Sequence, residues 1–281
     1  SGATPVPCDI NEKNLLMDLV DLEKKINEKT KAIMPVHYVG DPGNIDKLYK
    51  IAEMYNLRVI EDAAHAFGSY FREKKIGSFG DIICFSFDGI KNITSGEGGC
   101  VVSSDRNIIK KVMDSRLLGV TKDSDKRYKN SRSWSFDVLN QGWRYHMSNI
   151  MAGIGLEQLK RFDSFKFKRQ NLAKYYDSKL GPFKNLKIIK RNYDKIVPHI
   201  YVIVLNENID RNKLIEKLNV DKIQVGIHYY PNHLLTFYQN KIELSNTEKF
   251  YRRMLTLPLH YDLTITNINF IVKSLKVHLN E

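Results

Sequence analysis

One lysine, Lys91, stands between an apolar run and a glycine-rich turn in the segment Phe85-Ser86-Phe87-Asp88-Gly89-Ile90-Lys91-Asn92-Ile93-Thr94-Ser95-Gly96-Glu97-Gly98-Gly99. A carboxylate, Asp62, ends another strand-like run earlier in the chain. A lysine amine condenses with carbonyls, and a carboxylate holds a heterocyclic nitrogen protonated. Held at two adjacent strand ends, the pair would suit a Schiff base with a pyridoxal ring. Lys91 is then the candidate nucleophile and proton carrier. Hydroxyls and backbone N–H groups must hold the phosphate of such a cofactor, and Ser86 is the nearest hydroxyl. Gly96, Gly98 and Gly99 let the backbone approach a ligand closely. Each residue alone has an ordinary reading. A lone lysine in a turn is solvated, and a lone Asp62 is a cap or turn residue. Ser86 would be a strand hydroxyl and His65 a satisfied core histidine. The strand Leu57-Arg58-Val59-Ile60 and the small residues Ala63, Ala64 and Ala66 argue instead for a close-packed site.

The elements that must position these residues alternate in type. Leu15, Leu16, Leu19, Leu22 and Ile26 have helical spacing and predict a helix over 12–29. Ala32 to Val36 reads as a short buried strand. Asp41-Pro42-Gly43-Asn44 is a turn, and Asn44 caps a helix carrying Ile45, Leu48, Ile51, Ala52 and Tyr55. Strands are expected at 57–60, 81–87 and 100–103, with a helix from about 105 to 118 closed by Gly119. Strands alternating with helices indicate an α/β sandwich with a mostly parallel sheet, whose ligands bind at the carboxyl ends of strands. Residues 120–140 are polar and read as a long loop. A long helix is expected from Met147 toward Leu180, bridging two domains. Beyond it, 199–205 and 224–229 read as strands. Helices are expected at 210–218, at about 245–255 and at 267–279. The domains divide as 1–165 and 166–281, the second a smaller α+β unit.

The chain has 281 residues, of which 42% are hydrophobic, enough for a sizeable core. No apolar run reaches the length of a membrane span, and the N-terminus has no signal-peptide pattern. Cys8, Cys84 and Cys100 have no metal-ligand spacing and read as buried reduced thiols of a cytoplasmic protein. The net charge of +12 suits an anionic substrate. The lysines are scattered among Asp and Glu, and no nucleic-acid motif accompanies them. No nucleic acid, membrane or metal partner is expected.

Several ordered motifs resemble one family. Glu61-Asp62-Ala63-Ala64-His65-Ala66, Gly77-Ser78-Phe79-Gly80-Asp81 and the Lys91 segment are similar to those of the DegT/DnrJ/EryC1/StrS sugar aminotransferases, fold-type-I pyridoxal-phosphate enzymes. Gly2 to Val6 and Pro35-Val36-His37 fit that family's early strands. Met147-Ser148-Asn149 and Leu156-Glu157-Gln158-Leu159 fit its interdomain helix. His228-Tyr229 and Leu257-Pro258-Leu259-His260 fit its C-terminal domain. The resemblance implies pyridoxal 5'-phosphate bound through Lys91, with Asp62 on the pyridine nitrogen. It places His65 near the pyridine 3-oxygen, Ser86 at the phosphate, and His228 and Tyr229 at the substrate. It further implies transfer of an amino group from glutamate to a keto carbon of a nucleotide-diphosphate deoxysugar, in a cytoplasmic homodimer serving O-antigen or related surface-glycan synthesis.

Two departures shape these expectations. Where the family runs Gly-aromatic-Asn-Tyr-Arg-Met, this chain has Gly142-Trp143-Arg144-Tyr145-His146-Met147. Arg144 is therefore expected to reach the partner copy's cofactor phosphate by a charge-assisted contact. Family chains also carry a section before the position of Ser1, with a phosphate-binding helix N-terminus and a ring-stacking aromatic residue. The large domain is accordingly expected to be incomplete at its N-terminus. The alternative function is a non-catalytic relative that dimerises or binds nucleotide sugar.

Overall fold

The computed structural model describes residues 1–121, 137–238 and 242–280. Its first sheet has the order β1-β2-β5-β6, formed by β1 (Ala32–Ile33), β2 (Arg58–Asp62), β5 (Ile82–Ser86) and β6 (Gly99–Val102). A small hairpin, β3 (Tyr70–Phe71) with β4 (Lys74–Lys75), lies between β2 and β5. The first two pairings are parallel, with Ile33 opposite Val59 and Asp62 opposite Cys84. Strand β6 returns antiparallel, placing Gly99 opposite Ser86. Two parallel neighbours bring their carboxyl ends to one edge, so Asp62 and Ser86 share that edge.

The crossover from β1 to β2 is α2 (Ile45–Met54), started by Asn44, whose side chain accepts from the Lys47 N–H. Its apolar face, with Leu48, Ile51 and Ala52, packs with Leu22 of α1 (Leu19–Lys25) on Ile33 and Val59. Val59, Glu61, Ile83 and Phe85 are buried on that face of the sheet. The other face carries Ile60, Asp62, Cys84 and Ser86, all half-buried, beside Met34 and Val36, which are exposed.

The second sheet is antiparallel in the order β11-β10-β9, from β9 (Leu186–Ile188), β10 (Tyr201–Leu205) and β11 (Met254–Leu257). Tyr201, Ile203 and Leu205 pack on α4 (Asn149–Leu180), α5 (Arg211–Val220) and α7 (Ile265–His278) through Tyr176, Leu180, Leu214, Leu218 and Leu275. Val202 and Val204 face the opposite way, toward Leu15, Val39 and Phe250 of α6 (Ser245–Arg253). Helix α3 (Arg106–Ser115), capped by Asp105, follows β6. Among the described residues, no helix is long and apolar enough to cross a membrane.

Several expected elements differ. The helix over 12–29 shrinks to α1, because Asn11 and Asn14 side chains accept from the N–H groups of Lys13 and Leu16 and Leu15 adopts φ +60°. Such local bonds compete with helix. Residues 2–6 form no strand and are exposed. The run 224–229 is not a strand; only Gly226 bridges to Thr256. The helix ending near 255 stops at Arg253, since Met254–Leu257 gains more by pairing with β10. The ends of the expected 120–140 loop pair as β7 (Val120–Thr121) and β8 (Asp137–Val138), and 122–136 lie outside the described residues. The three thiols are half-buried rather than fully buried, and all are free.

Candidate active site

Strand β2 ends on adjacent carboxylates with opposite tasks. Glu61 points into the core, where His37 Nε2 lies 2.7 Å from Oε2 and the Tyr49 hydroxyl donates to Oε1 at 2.6 Å. A buried carboxylate needs such partners. Asp62 points to the open face, and its Oδ1 accepts from the Ala64 N–H at 3.0 Å. Its backbone is fixed on both sides, donating to the Pro35 carbonyl and accepting from the His37 N–H, each at 2.9 Å. Ser86 stands at the end of β5 on the same face, and its Oγ accepts from the Asp88 N–H at 3.3 Å.

Lys91 follows on a loop folded tightly against itself. Its N–H donates to the Asp88 carbonyl at 3.0 Å, while the Ser95 and Phe87 N–H groups close onto Phe87 and Gly98 carbonyls. Gly98 is required in this turn: its φ is +141°, and a Cβ there would lie 2.6 Å from Met147 Cε. The next residue, Asn92, is buried, and its amide donates to the carbonyls of His65 at 3.3 Å and Val197 at 3.1 Å. Asn92 thus ties the lysine loop to two other parts of the site.

Opposite the loop are three histidines and a tyrosine. His65 Nε2 lies 3.1 Å from the Tyr229 hydroxyl. Its ring centroid is 4.3 Å from that of His199. His228 Nδ1 meets Thr256 Oγ1 at 2.9 Å, and its carbonyl accepts from the Tyr38 hydroxyl at 2.5 Å. Burial pushes the His65 imidazole down to about 3, and the Lys91 charge adds to the effect. Burial likewise pushes His199 down to about 2, followed by His65 and Lys91. His228 is lowered by burial and then by Lys91. The Tyr229 phenol is raised by burial and by the charges of Asp62 and Asp88. The Lys91 charge thus acts on the three histidines, and the Asp62 charge on Tyr229.

Of the expected site residues, Asp62 and Ser86 stand at the carboxyl edge of the first sheet, the Lys91 loop follows from β5, and His65, just beyond β2, meets Tyr229, the neighbour of His228. Arg144 stands apart. Its backbone bridges Leu117, its side chain is exposed, and among the described residues no hydrogen bond or ion pair joins it to the Lys91 cluster. Sequence reasoning missed His199, Tyr38 and Asn92 as site residues. Asn92 had a signal, its position next to Lys91. Tyr38 and His199 had none, because their approach depends on the second sheet docking on the first. His199 also lies outside the strand expected from 199 onward, since β10 begins at Tyr201.

The donor set fits a pyridoxal cofactor: one amine, one carboxylate on the open face, one hydroxyl, and an imidazole with buried Nδ1 unpartnered. Among the described residues no group of three His, Cys, Asp or Glu side chains could hold a metal ion.

Comparison with known proteins identifies the family and the fold. The family model described as "DegT/DnrJ/EryC1/StrS aminotransferase family" matches residues 1–276. The spore coat polysaccharide biosynthesis protein SpsC of Bacillus subtilis is 31% identical, over 98% of this chain and 74% of its own length. PseC of Helicobacter pylori, an aminotransferase involved in the biosynthesis of pseudoaminic acid, superposes with a TM-score of 0.91 at 29% identity, covering 99% of this chain and 74% of that one. Spr1654 of Streptococcus pneumoniae, solved in PMP and PLP forms, is 29% identical in its PMP form with a TM-score of 0.89, covering 99% of this chain and 77% of that one.

Proposed function

The chain belongs to the DegT/DnrJ/EryC1/StrS aminotransferase family of pyridoxal-phosphate-dependent enzymes, and from that premise we propose that it transfers an amino group from glutamate to a keto carbon of a nucleotide-linked deoxysugar. The proposal is supported by the parallel pairing of β2 with β5, which sets Asp62 and Ser86 on one open face with the Lys91 loop following, and by the Lys91 charge acting on three histidines. When bound, pyridoxal phosphate supplies the carbonyl that takes up the amino group and the ring that accepts electrons.

The roles of this chain's residues follow from their chemistry. Lys91 Nζ holds the cofactor between turnovers and carries the proton removed from the Cα of the donor. The Asp62 carboxylate accepts the pyridine N–H. His65 serves the ring oxygen, and Ser86 donates its hydroxyl to the phosphate. His228 and Tyr229 border the substrate side, a role supported by the contact of Tyr229 with His65. A neutral His65 is a donor at one nitrogen only, so it adds no cation beside Lys91. The net charge of +12 favours capture of an anionic diphosphate.

The reading extends to a homodimer in which Arg144 reaches the partner copy's cofactor phosphate, supported by its exposure and by the exposed apolar residues Ile150, Leu156 and Leu159 on α4. It also keeps the division into a cofactor-binding part (1–165) and a smaller part (166–281). Every residue of the largest buried cluster lies at Leu172 or beyond, which supports that division. A cytoplasmic role in surface-glycan synthesis completes the proposal.

The test is a coupled assay with purified protein, pyridoxal phosphate, 15N-glutamate and a thymidine-diphosphate keto-deoxysugar. The expected product is a 15N-labelled amino sugar with stoichiometric 2-oxoglutarate. Label that never reaches a nucleotide-linked sugar, while reaching another keto acceptor, overturns the substrate assignment.

A further inference from the structure

His199 has no place in the roles above, yet much of the structure is spent on holding it. The segment 196–199 is fixed by four buried polar side chains from three directions. Gln170 Nε2 donates to the Ile196 carbonyl at 3.1 Å. The Ser69 hydroxyl accepts from the Val197 N–H at 2.9 Å, and Asn92 Nδ2 donates to the Val197 carbonyl at 3.1 Å. Arg169 Nη1 reaches the carbonyls of His199 and Leu259, each at 3.1 Å. Arg169, Gln170, Ser69 and Asn92 are all buried. Buried polar groups cost free energy unless paired, and these paired groups hold the backbone of the segment in one place. The backbone so held carries the ring of His199, buried against the ring of His65 at 4.3 Å with a 46° tilt.

That contact is a close, tilted ring pair. The centroids are too close for an in-plane hydrogen bond between two imidazoles. Each ring also keeps a buried Nδ1 without a partner, and Asn92 Oδ1 beside them is unpartnered as well. Three of the four such atoms among the described residues thus lie around this one contact. The His199 ring therefore acts on His65 by ring-to-ring packing rather than by a hydrogen bond.

We propose that His199 is a positioning residue for the cofactor site: its ring face sets the plane of His65 and so the direction of His65 Nε2. This rests on reading the site as a pyridoxal-phosphate site. The clamp then has a purpose beyond joining two sheets. It transmits the position of the second sheet to the first through Val197, Asn92 and the Lys91 loop.

The test compares two space-filling variants, His199→Phe and His199→Leu. Both keep the region filled and dry, but only phenylalanine keeps an aromatic face. Two measurements are made: the Kd for pyridoxal phosphate with the visible circular dichroism of the bound form, and the His65 imidazole NMR signals of cofactor-free protein. His199→Leu should weaken cofactor binding about tenfold, halve the visible dichroism and broaden the His65 signals. His199→Phe should stay within about twofold of the parent chain with sharp His65 signals, since an aromatic ring still packs on His65. Equal behaviour of the two variants in every measurement overturns the proposal. Absence of any Lys91-dependent cofactor band in the parent chain counts against the cofactor-site reading alone; the His65 signals then decide whether His199 positions that ring.

Discussion

Every residue of β10 is buried, from Tyr201 to Leu205, whereas β2 alternates, with Val59 and Glu61 buried and Ile60 and Asp62 half-open. The two strands have the same length but different composition, β10 apolar throughout and β2 carrying Arg58, Glu61 and Asp62, and they do different work. β10 is covered on both faces, by helices α4, α5 and α7 on one side and by Leu15, Val39 and Phe250 on the other. β2 is covered on one face only, and its other face holds the candidate chemistry. A strand packed on both sides has no side chain free for a ligand. A strand packed on one side can present a carboxylate at its end while its neighbour, Glu61, keeps the register through His37 and Tyr49. Stability and chemistry are thereby assigned to different sheets of one chain.

The largest effect expected from this contrast is on stability. Leu255→Ala, in the doubly covered sheet, should cost about 3 kcal/mol, because a fully buried leucine leaves a cavity that its neighbours fill poorly. Ile60→Ala, on the open face, should cost under about 1 kcal/mol, since little of its burial is lost. Urea unfolding of both variants checks this. Equal costs would break the comparison.

Acid should act on the junction between the sheets. His65 titrates at about 3 and His199 at about 2, both below the ordinary value of 6.5, and His228 is also lowered. The unfolded chain therefore binds more protons than the folded one below about pH 6.5. The stability these residues provide is complete above that pH. It falls as pH drops toward the folded values, by roughly 1 kcal/mol per pH unit for each of the two buried rings. Unfolding measured from pH 7 to pH 5 should show this slope, and His199→Phe should reduce it by about one proton.

Much of the site was legible from residue types along the chain. Lys91, Asp62 and Ser86 stand where a strand run meets a turn, and parallel pairing brings such ends together. The α2 helix was legible from Asn44 and the spacing of Leu48, Ile51 and Ala52. The first helix was overcalled, because apolar spacing carried no warning that Asn11 and Asn14 would bind their own backbone. Strand β11 was hidden under a helical reading, since Met254–Leu257 becomes a strand only through β10. His199 and Tyr38 were invisible as site residues for the same reason. Their neighbours in space, His65 and His228, are more than a hundred residues away along the chain. Short-range patterns locate strand ends, but a contact between sheets needs the docked structure.

We propose that the open sheet is a pyridoxal-phosphate site built on Lys91. Borohydride reduction of the protein with bound pyridoxal phosphate, followed by peptide mapping, tests it. The expected result is a visible absorbance band that reduction removes, with the pyridoxyl group found on Lys91 and both signals absent in Lys91→Ala. A pyridoxyl group on another lysine, or a band that survives Lys91→Ala, would contradict it.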